Sequence, residues 1–433
     1  MDIRNRNNIH IDLHHLTRVE GHGNIVINMN NGNLEKCDLE IVEAPRFFEA
    51  MLRGLEYGQA SHLASRICGI CAVTHATASL CAVENALGVH ISPQTKLLRL
   101  LNLYGELLDS HILHVYMLVA PDYYGIGSVI PLAKSAPEVL LRSLRIKSLA
   151  GEICAVVCGR HTHPIKMVVG GFAQSPTTEQ LINLKEKLLD IRNDIDETVE
   201  LFQSFTLPVF ERDTEYIALR DNHSYCLIGG NITSTDCESW SLGKYREIIR
   251  EFKVAHSTAK HAQYKQNPYM VGALARFNIN HDRLHIRAKS AANALGLYPK
   301  CTNPYMNTIA QVVEVVQFVE EAILTIEHLL EKGLNPEVPA MPSRSSGEGV
   351  GACEAPRGSL FHNYVIKNGF LTDANCVIPT AQNLANIEED MRTYVPSIMD
   401  LPQAEITHRI EMLIRAYDPC ISCAAHSMEV RFV

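Results

Sequence analysis

The sequence predicts a mainly α fold with smaller α+β parts, a core of long helices with β-sheet at its margins. Three observations carry this. Long helical stretches recur, chief among them 74–88, 93–118, 136–157 and 304–332. Strict alternation of apolar and polar residues is confined to short segments, chiefly 24–43. The stretch 206–240 mixes strand-like runs with turn residues.

Taken in order, residues 24–43 alternate on either side of Asn30-Asn31-Gly32-Asn33, which predicts a hairpin whose Gly32 takes positive φ. A helical period over 45–66 follows, weakened by Gly54 and Gly58. The Ala- and Leu-rich run 74–88 predicts a helix ended by Gly88. Ser92-Pro93 opens the next, with proline in its first turn and Pro121 as its exit. Residues 159–176, with three Gly and two Pro, predict a connection, and 177–205 a charged amphipathic helix. The helix of 304–332 should stop at Gly333. Residues 334–360, dense in Pro, Gly and Ser, predict a long functional loop. A hairpin around Asn368-Gly369 and helices near 380–396 and 402–415 complete the chain. The division expected is 1–60, a β-hairpin region; 61–205, a helical core; 206–295, a small mixed α/β subdomain; and 296–433, helical core with the glycine-rich loop.

At 433 residues, 46% hydrophobic and 20% charged, the composition is globular. A net charge of −9 and the lack of basic runs argue against nucleic-acid binding. No stretch approaches eighteen uncharged apolar residues, so no membrane span is expected. The opening MDIRNRNNIHIDLHH has no apolar signal core, so a cytoplasmic location is expected.

Of thirteen cysteines, four form two tight pairs, Cys68/Cys71 and Cys420/Cys423, each followed by a histidine, His75 and His426. A Cys-x-x-Cys turn aims two sulfurs at one metal. Spacing alone leaves a structural zinc site, an iron–sulfur cluster and a catalytic metal all open. Two ionisable segments tilt the balance toward chemistry: Arg18-Val19-Glu20-Gly21-His22, and Glu354-Ala355-Pro356-Arg357-Gly358 in the expected loop.

RVEGH at 18–22, RICGIC with its histidine at 66–75, EAPRG at 354–358 and DPCISCAAH at 418–426 occur in this order over nearly the whole chain. Together they resemble the large catalytic subunits of [NiFe]-hydrogenases. Ser110 in the segment SHILH, the compact length and the absence of export signals resemble the soluble cytoplasmic branch, which is bidirectional and coupled to NAD(P), a deazaflavin or a similar soluble carrier.

The resemblance implies reversible heterolytic cleavage of H2 at a nickel–iron centre. Cys68, Cys71, Cys420 and Cys423 would ligate nickel, and Cys71 and Cys423 would also bridge to an iron carrying cyanide and carbon monoxide. Cys420 would take the proton and Glu20 relay it. Arg357 would lie over the metals, held by Asp418, with Pro356 packed on the diatomic ligands. His75 and His426 would donate to the bridging sulfurs. Glu49, in Arg46-Phe47-Phe48-Glu49, resembles the ligand of a magnesium ion near the C-terminus, with Glu56 as the alternative match.

Implied partners are an iron–sulfur small subunit, further flavin and iron–sulfur electron-transfer subunits, and maturation proteins. Residues 427–433 would be either a retained tail, read as a buried strand from Met428, Val430 and Phe432, or an uncleaved precursor extension. A hydrogen-sensing subunit and a zinc-stapled structural subunit are the competing readings.

Overall fold

The computed structural model describes residues 9–425. His426 and the expected strand at 428–432 lie outside the described residues. The N-terminal hairpin forms as Gly23–Asn30 and Asn33–Ile41, with Asn31 and Gly32 both at positive φ, as a two-residue turn matched to strand twist requires. Ile9–Leu13 adds a third antiparallel strand.

The segment 45–66 is not one helix. It breaks into Phe48–Leu52, a single tight turn, and Ala60–Ala64. Gly54 adopts φ +87, and the backbone of 54–57 instead exchanges hydrogen bonds with Leu371 and Gly369. The apolar period there reflects burial on one side of an irregular chain.

Helix Ala72–Leu87 ends on Gly88 at φ 64, where a left-handed residue is needed to close the last turn. Helix Pro93–Ile112 starts with Ser92 accepting from the Thr95 amide. It does not stop at Pro121. It widens into a π-helical stretch, Leu113–Val119, and continues as Ala120–Tyr123, where proline occupies a first-turn position that needs no amide donor. Helix Pro137–Cys158 packs against it. The 177–205 helix is two, Thr178–Asp190 behind a Thr177/Gln180 capping box, and Arg192–Gln203. Met306–Lys332, buried along most of its length, runs through the core.

The largest departure concerns residues 334–360. Only the first part is irregular. Gly347–Ala355, Gly358–Lys367 and Phe370–Val377 form an antiparallel three-stranded sheet. The glycines lie there for contact, not for flexibility. On Gly347, Gly349 and Gly351, which share one face of the strand, a Cβ would meet the backbone of helix Ala72–Leu87 at 2.2, 2.3 and 2.0 Å. Strand and helix touch main chain to main chain.

Residues 206–295 carry short strands, among them a four-stranded sheet in the order Tyr269–Met270, Glu215–Arg220, Asn231–Ser234, Ser239–Ser241. Their apolar side chains form a second cluster with Ala352, Phe361 and Val377 of the other sheet. Helices Pro379–Tyr394, Gln403–Ala416 and Ile421–Ala424 end the described chain. No helix among the described residues is long and apolar enough to cross a membrane.

Candidate metal centre

Each cysteine pair sits where a loop enters a helix. Cys71 immediately precedes helix Ala72–Leu87, and Glu106 holds that helix start by accepting the amides of Val73 and Thr74 at 2.5 and 2.9 Å. The Cys68 sulfur accepts the amides of Ile70 and Cys71 at 3.2 and 3.1 Å, which fixes the turn of the pair. Cys420 precedes the short helix Ile421–Ala424, and its amide is bound by the Thr380 hydroxyl at 2.9 Å.

The two pairs meet. The sulfurs of Cys68 and Cys420 are 3.6 Å apart, as are those of Cys71 and Cys423, and all four lie within 4.8 Å of one another in buried positions. Hydrogen bonding from Cys420, Cys423 and Cys71 holds the Cys68 thiol well below its usual range, while burial pushes Cys420 and Cys423 well above theirs. Burial thus favours the protonated thiols, and the four sulfurs could all become thiolates in so small a volume only around a cation. The donor set is all sulfur, which suits a soft metal. Among the described residues no other cysteines form such a group.

Arg46, seen in the sequence only as a neighbour of Glu49, fastens the two pairs together. Its guanidinium donates to the carbonyl of Ile67 at 2.7 Å and to that of Ser422, the residues beside Cys68 and Cys423.

Glu20 joins the cluster through main chain and side chain. Its carbonyl accepts the Ile421 amide at 2.9 Å, its backbone pairs with Cys420, and its Oε2 lies 3.1 Å from the Cys420 sulfur. Gly21, at φ +89, permits this approach, since a Cβ there would stand 2.8 Å from Ile421.

Arg357 occupies the tight turn between Gly347–Ala355 and Gly358–Lys367. Its Nε donates to the Asp418 carbonyl at 2.7 Å and its Nη2 to the Asp418 carboxylate at 2.9 Å, while Nη1 is buried without a hydrogen-bond partner. Burial opposes its charge, but Asp418 and the sulfurs of Cys420, Cys71 and Cys68 hold it firmly protonated. Pro356, Arg357 and His75 line a small pocket with Cys71, Cys420 and Cys423, joined by Ile378, Pro379 and Thr380. Nothing in the sequence pattern singled out those last three.

The support behind the turn was also invisible in the sequence. Arg276, fully buried, binds Glu314 at 2.6 Å and Glu354 at 3.1 Å, and donates to the carbonyls of Ala355 and Pro356 at 2.8 and 3.1 Å. Behind Asp418, Gln311 donates to its carboxylate at 3.0 Å and in turn contacts His114 at 2.5 Å, a residue of the π-helical stretch.

His75 lies on the first turns of its helix, with Nδ1 3.2 Å from Nε2 of His362. Glu49 lies apart from the sulfurs. Its carboxylate accepts the amide of Cys376 at 2.8 Å and the Asn375 side chain at 3.1 Å, near the Lys260–Glu251 ion pair. Glu56 is exposed and bridges Phe370 through its backbone.

Residues 46–140 and 234–426 match the family model described as nickel-dependent hydrogenase, and residues 9–44 match one described as HoxL-like. The chain is 34% identical to sulfhydrogenase 1 subunit alpha of Pyrococcus furiosus, over 96% of this chain and 97% of that protein. It is 28% identical to the NAD-reducing hydrogenase HoxS subunit beta of Cupriavidus necator, over 95% and 94%. Among solved structures, an NAD+-reducing [NiFe]-hydrogenase in the H2-reduced state superposes with a TM-score of 0.86 at 27% identity, covering 96% of this chain and 99% of that one. The Ni-Fe-Se hydrogenase of Desulfovibrio vulgaris Hildenborough shares the fold, with a TM-score of 0.78 at 22% identity, over 97% and 100%. With four sulfurs gathered from opposite ends of the sequence and these matches over nearly its full length, the chain belongs to the nickel-dependent hydrogenases, as a large catalytic subunit.

Proposed function

We propose that the sulfurs of Cys68, Cys71, Cys420 and Cys423 would hold a nickel–iron centre whose iron would carry cyanide and carbon monoxide. When bound, this group supplies the soft Lewis-acid and redox chemistry that H2, lacking charge and a permanent dipole, requires for heterolytic cleavage. The protein's own residues then manage the proton. Cys420 receives it, and Glu20, 3.1 Å away, takes it onward within hydrogen-bond reach. Arg357 presents a fixed cation with one uncommitted nitrogen to the pocket, where it would stabilise negative charge on such ligands. Asp418 positions it and Pro356 packs beside it. His75, and His426 outside the described residues, would tune the sulfurs of the pairs they follow. Glu49 would supply an oxygen ligand to magnesium or a similar hard cation.

Electrons leave to an iron–sulfur small subunit and on through flavin and iron–sulfur subunits to a soluble carrier. NAD(P) is preferred over a deazaflavin, because one relative is named NAD-reducing and others F420-non-reducing. The metal group is installed by maturation proteins, and the complex works in the cytoplasm.

The observation that carries this reading is the convergence of residues 68, 71, 420 and 423. The test is elemental analysis and infrared spectroscopy of the purified complex, with H2/D+ exchange as the activity. Nickel, iron and cyanide and carbonyl bands are expected, and Cys420→Ser should abolish exchange. Zinc as the sole metal on these sulfurs in mature protein would overturn it.

A further inference from the structure

A second group of metal-ligating side chains lies on the far part of helix Pro379–Tyr394. His256, His261 and Glu388 place their ligand atoms within 4.8 Å of one another. They come from separate parts of the chain: the irregular segment after strand Arg250–Phe252, the first residue of strand His261–Gln263, and the helix. His256 Nε2 is 2.7 Å from one carboxylate oxygen of Glu388, and His261 Nε2 is 3.6 Å from the other.

Two observations set this group apart from an ordinary buried ion pair. His261 is 1% exposed, yet neither ring nitrogen has a hydrogen-bond partner. A buried polar group left unsatisfied is costly, so a ligand that engages its Nε2 removes a real penalty. The surroundings are also those of a coordinated imidazole. Asp38 faces the Nδ1 side of His256 at 3.8 Å, leaving Nε2 directed to the centre, and the Leu39 amide donates to Glu388 at 3.1 Å. Arg392 is the rival cation, but it approaches Glu388 only to 3.6 Å from the solvent side.

We propose that His256, His261 and Glu388 bind a divalent zinc ion as a structural staple. Two imidazoles and one carboxylate form a borderline donor set that suits zinc, and the partly exposed side of His256 admits a water as fourth ligand. The ion ties the hairpin strand Asn33–Ile41, through Asp38 and Leu39, to the 256–261 segment and to helix Pro379–Tyr394. That helix begins beside the sulfur cluster, where Thr380 binds the Cys420 amide. Glu388 lies eight residues further on, roughly 12 Å along the axis. The staple therefore fixes the helix without touching the reaction.

X-ray absorption at the zinc edge tests this on the purified complex after equilibration with zinc and removal of loosely held metal. One zinc per chain with only nitrogen and oxygen neighbours at about 2.0 Å is expected. Glu388→Gln and His261→Gln should each lose that zinc while the nickel content per chain is unchanged. A wild-type complex that retains no zinc overturns the proposal. So do sulfur neighbours at about 2.3 Å, which would put the zinc in the cysteine cluster, and full zinc retention by both variants. Should the variants not fold, the wild-type spectrum decides alone. Because the readout is zinc and its neighbours, its failure leaves the nickel reading untouched.

Discussion

At the scale of single residues, Glu20 is the sharpest point of contact between geometry and chemistry. Its carboxylate stands 3.1 Å from the Cys420 sulfur and 3.1 Å from the Ser422 amide. Glu20→Gln keeps the shape and the acceptor for that amide but cannot carry a proton. Exchange activity should fall by about 10²–10⁴-fold, with nickel and iron content and infrared bands retained. Loss of the metals instead would show a structural role. The cysteines and Arg357 were legible in the sequence because their spacing and flanking motifs are local. Arg46, Thr380 and Arg276 were not. Each acts by binding a backbone group or a side chain far away in sequence, and no local pattern marks such a partner.

The buried group of Arg276, Glu314 and Glu354, with His111 Nε2 2.7 Å from the Glu314 carboxylate, gives a pH prediction at the same scale. Burial would raise the Glu314 carboxyl, but Arg276 and His111 overcome it and hold it at about 2. A folded-state value below the unfolded one, about 4.3, means that stability from this group is full above pH about 4. It is lost as pH falls toward 2. Glu314→Gln should therefore be much less stable than wild type at pH 7, by about 3–5 kcal/mol. In urea unfolding that difference should shrink steadily between pH 4 and pH 2. A difference independent of pH would refute the ion-pair account.

Among the elements, the sheet Gly347–Val377 against helix Ala72–Leu87 is the contact on which the site's geometry rests. Gly351→Ala would put a methyl group 2.0 Å from the Ala78 carbonyl, and backbone cannot yield as a side chain can. A loss of about 1–3 kcal/mol or more is expected in thermal or chemical unfolding, with impaired nickel retention. Gly243→Ala, which meets nothing within 4 Å, is the control and should be nearly silent. This is also where reading the sequence went furthest wrong. Alternating glycines suit a loop and a closely packed strand equally well, and composition cannot tell which backbone will come near. The long helices and both Asn-containing hairpins were legible, since period and turn chemistry are local. The 45–66 segment kept its apolar period but lost its helix to hydrogen bonds with Gly369 and Leu371, which no local signal reports.

On the scale of the whole molecule, the cysteine pairs are 352 positions apart and are brought together by Arg46, by Glu20 and by any metal they share. A metal bound by the folded state alone stabilises it in proportion to its affinity. Metal-depleted protein should therefore melt several degrees lower than the loaded form, and the C-terminal residues 418–425 should show the largest gain in amide hydrogen exchange. Equal exchange in the two forms would mean that Arg46 and Glu20 suffice to close the site without metal.

The bare seam between strand and helix has one more consequence. Cys71 and His75 ride on one side of it and Arg357 on the other, and only hydrogen atoms fill the gap between Gly351 and Ala78. At those glycines the joint has no rotamers to exchange, and the Asn85 and Arg344 side chains clamp its flank by donating to the carbonyls of Val350 and Ala86, both at 2.7 Å, so warming does not open it by small steps. The Cys71 and Arg357 sides of the pocket should thus behave as a single rigid jaw, against which the Cys420 segment is held by Glu20, Arg46 and Thr380.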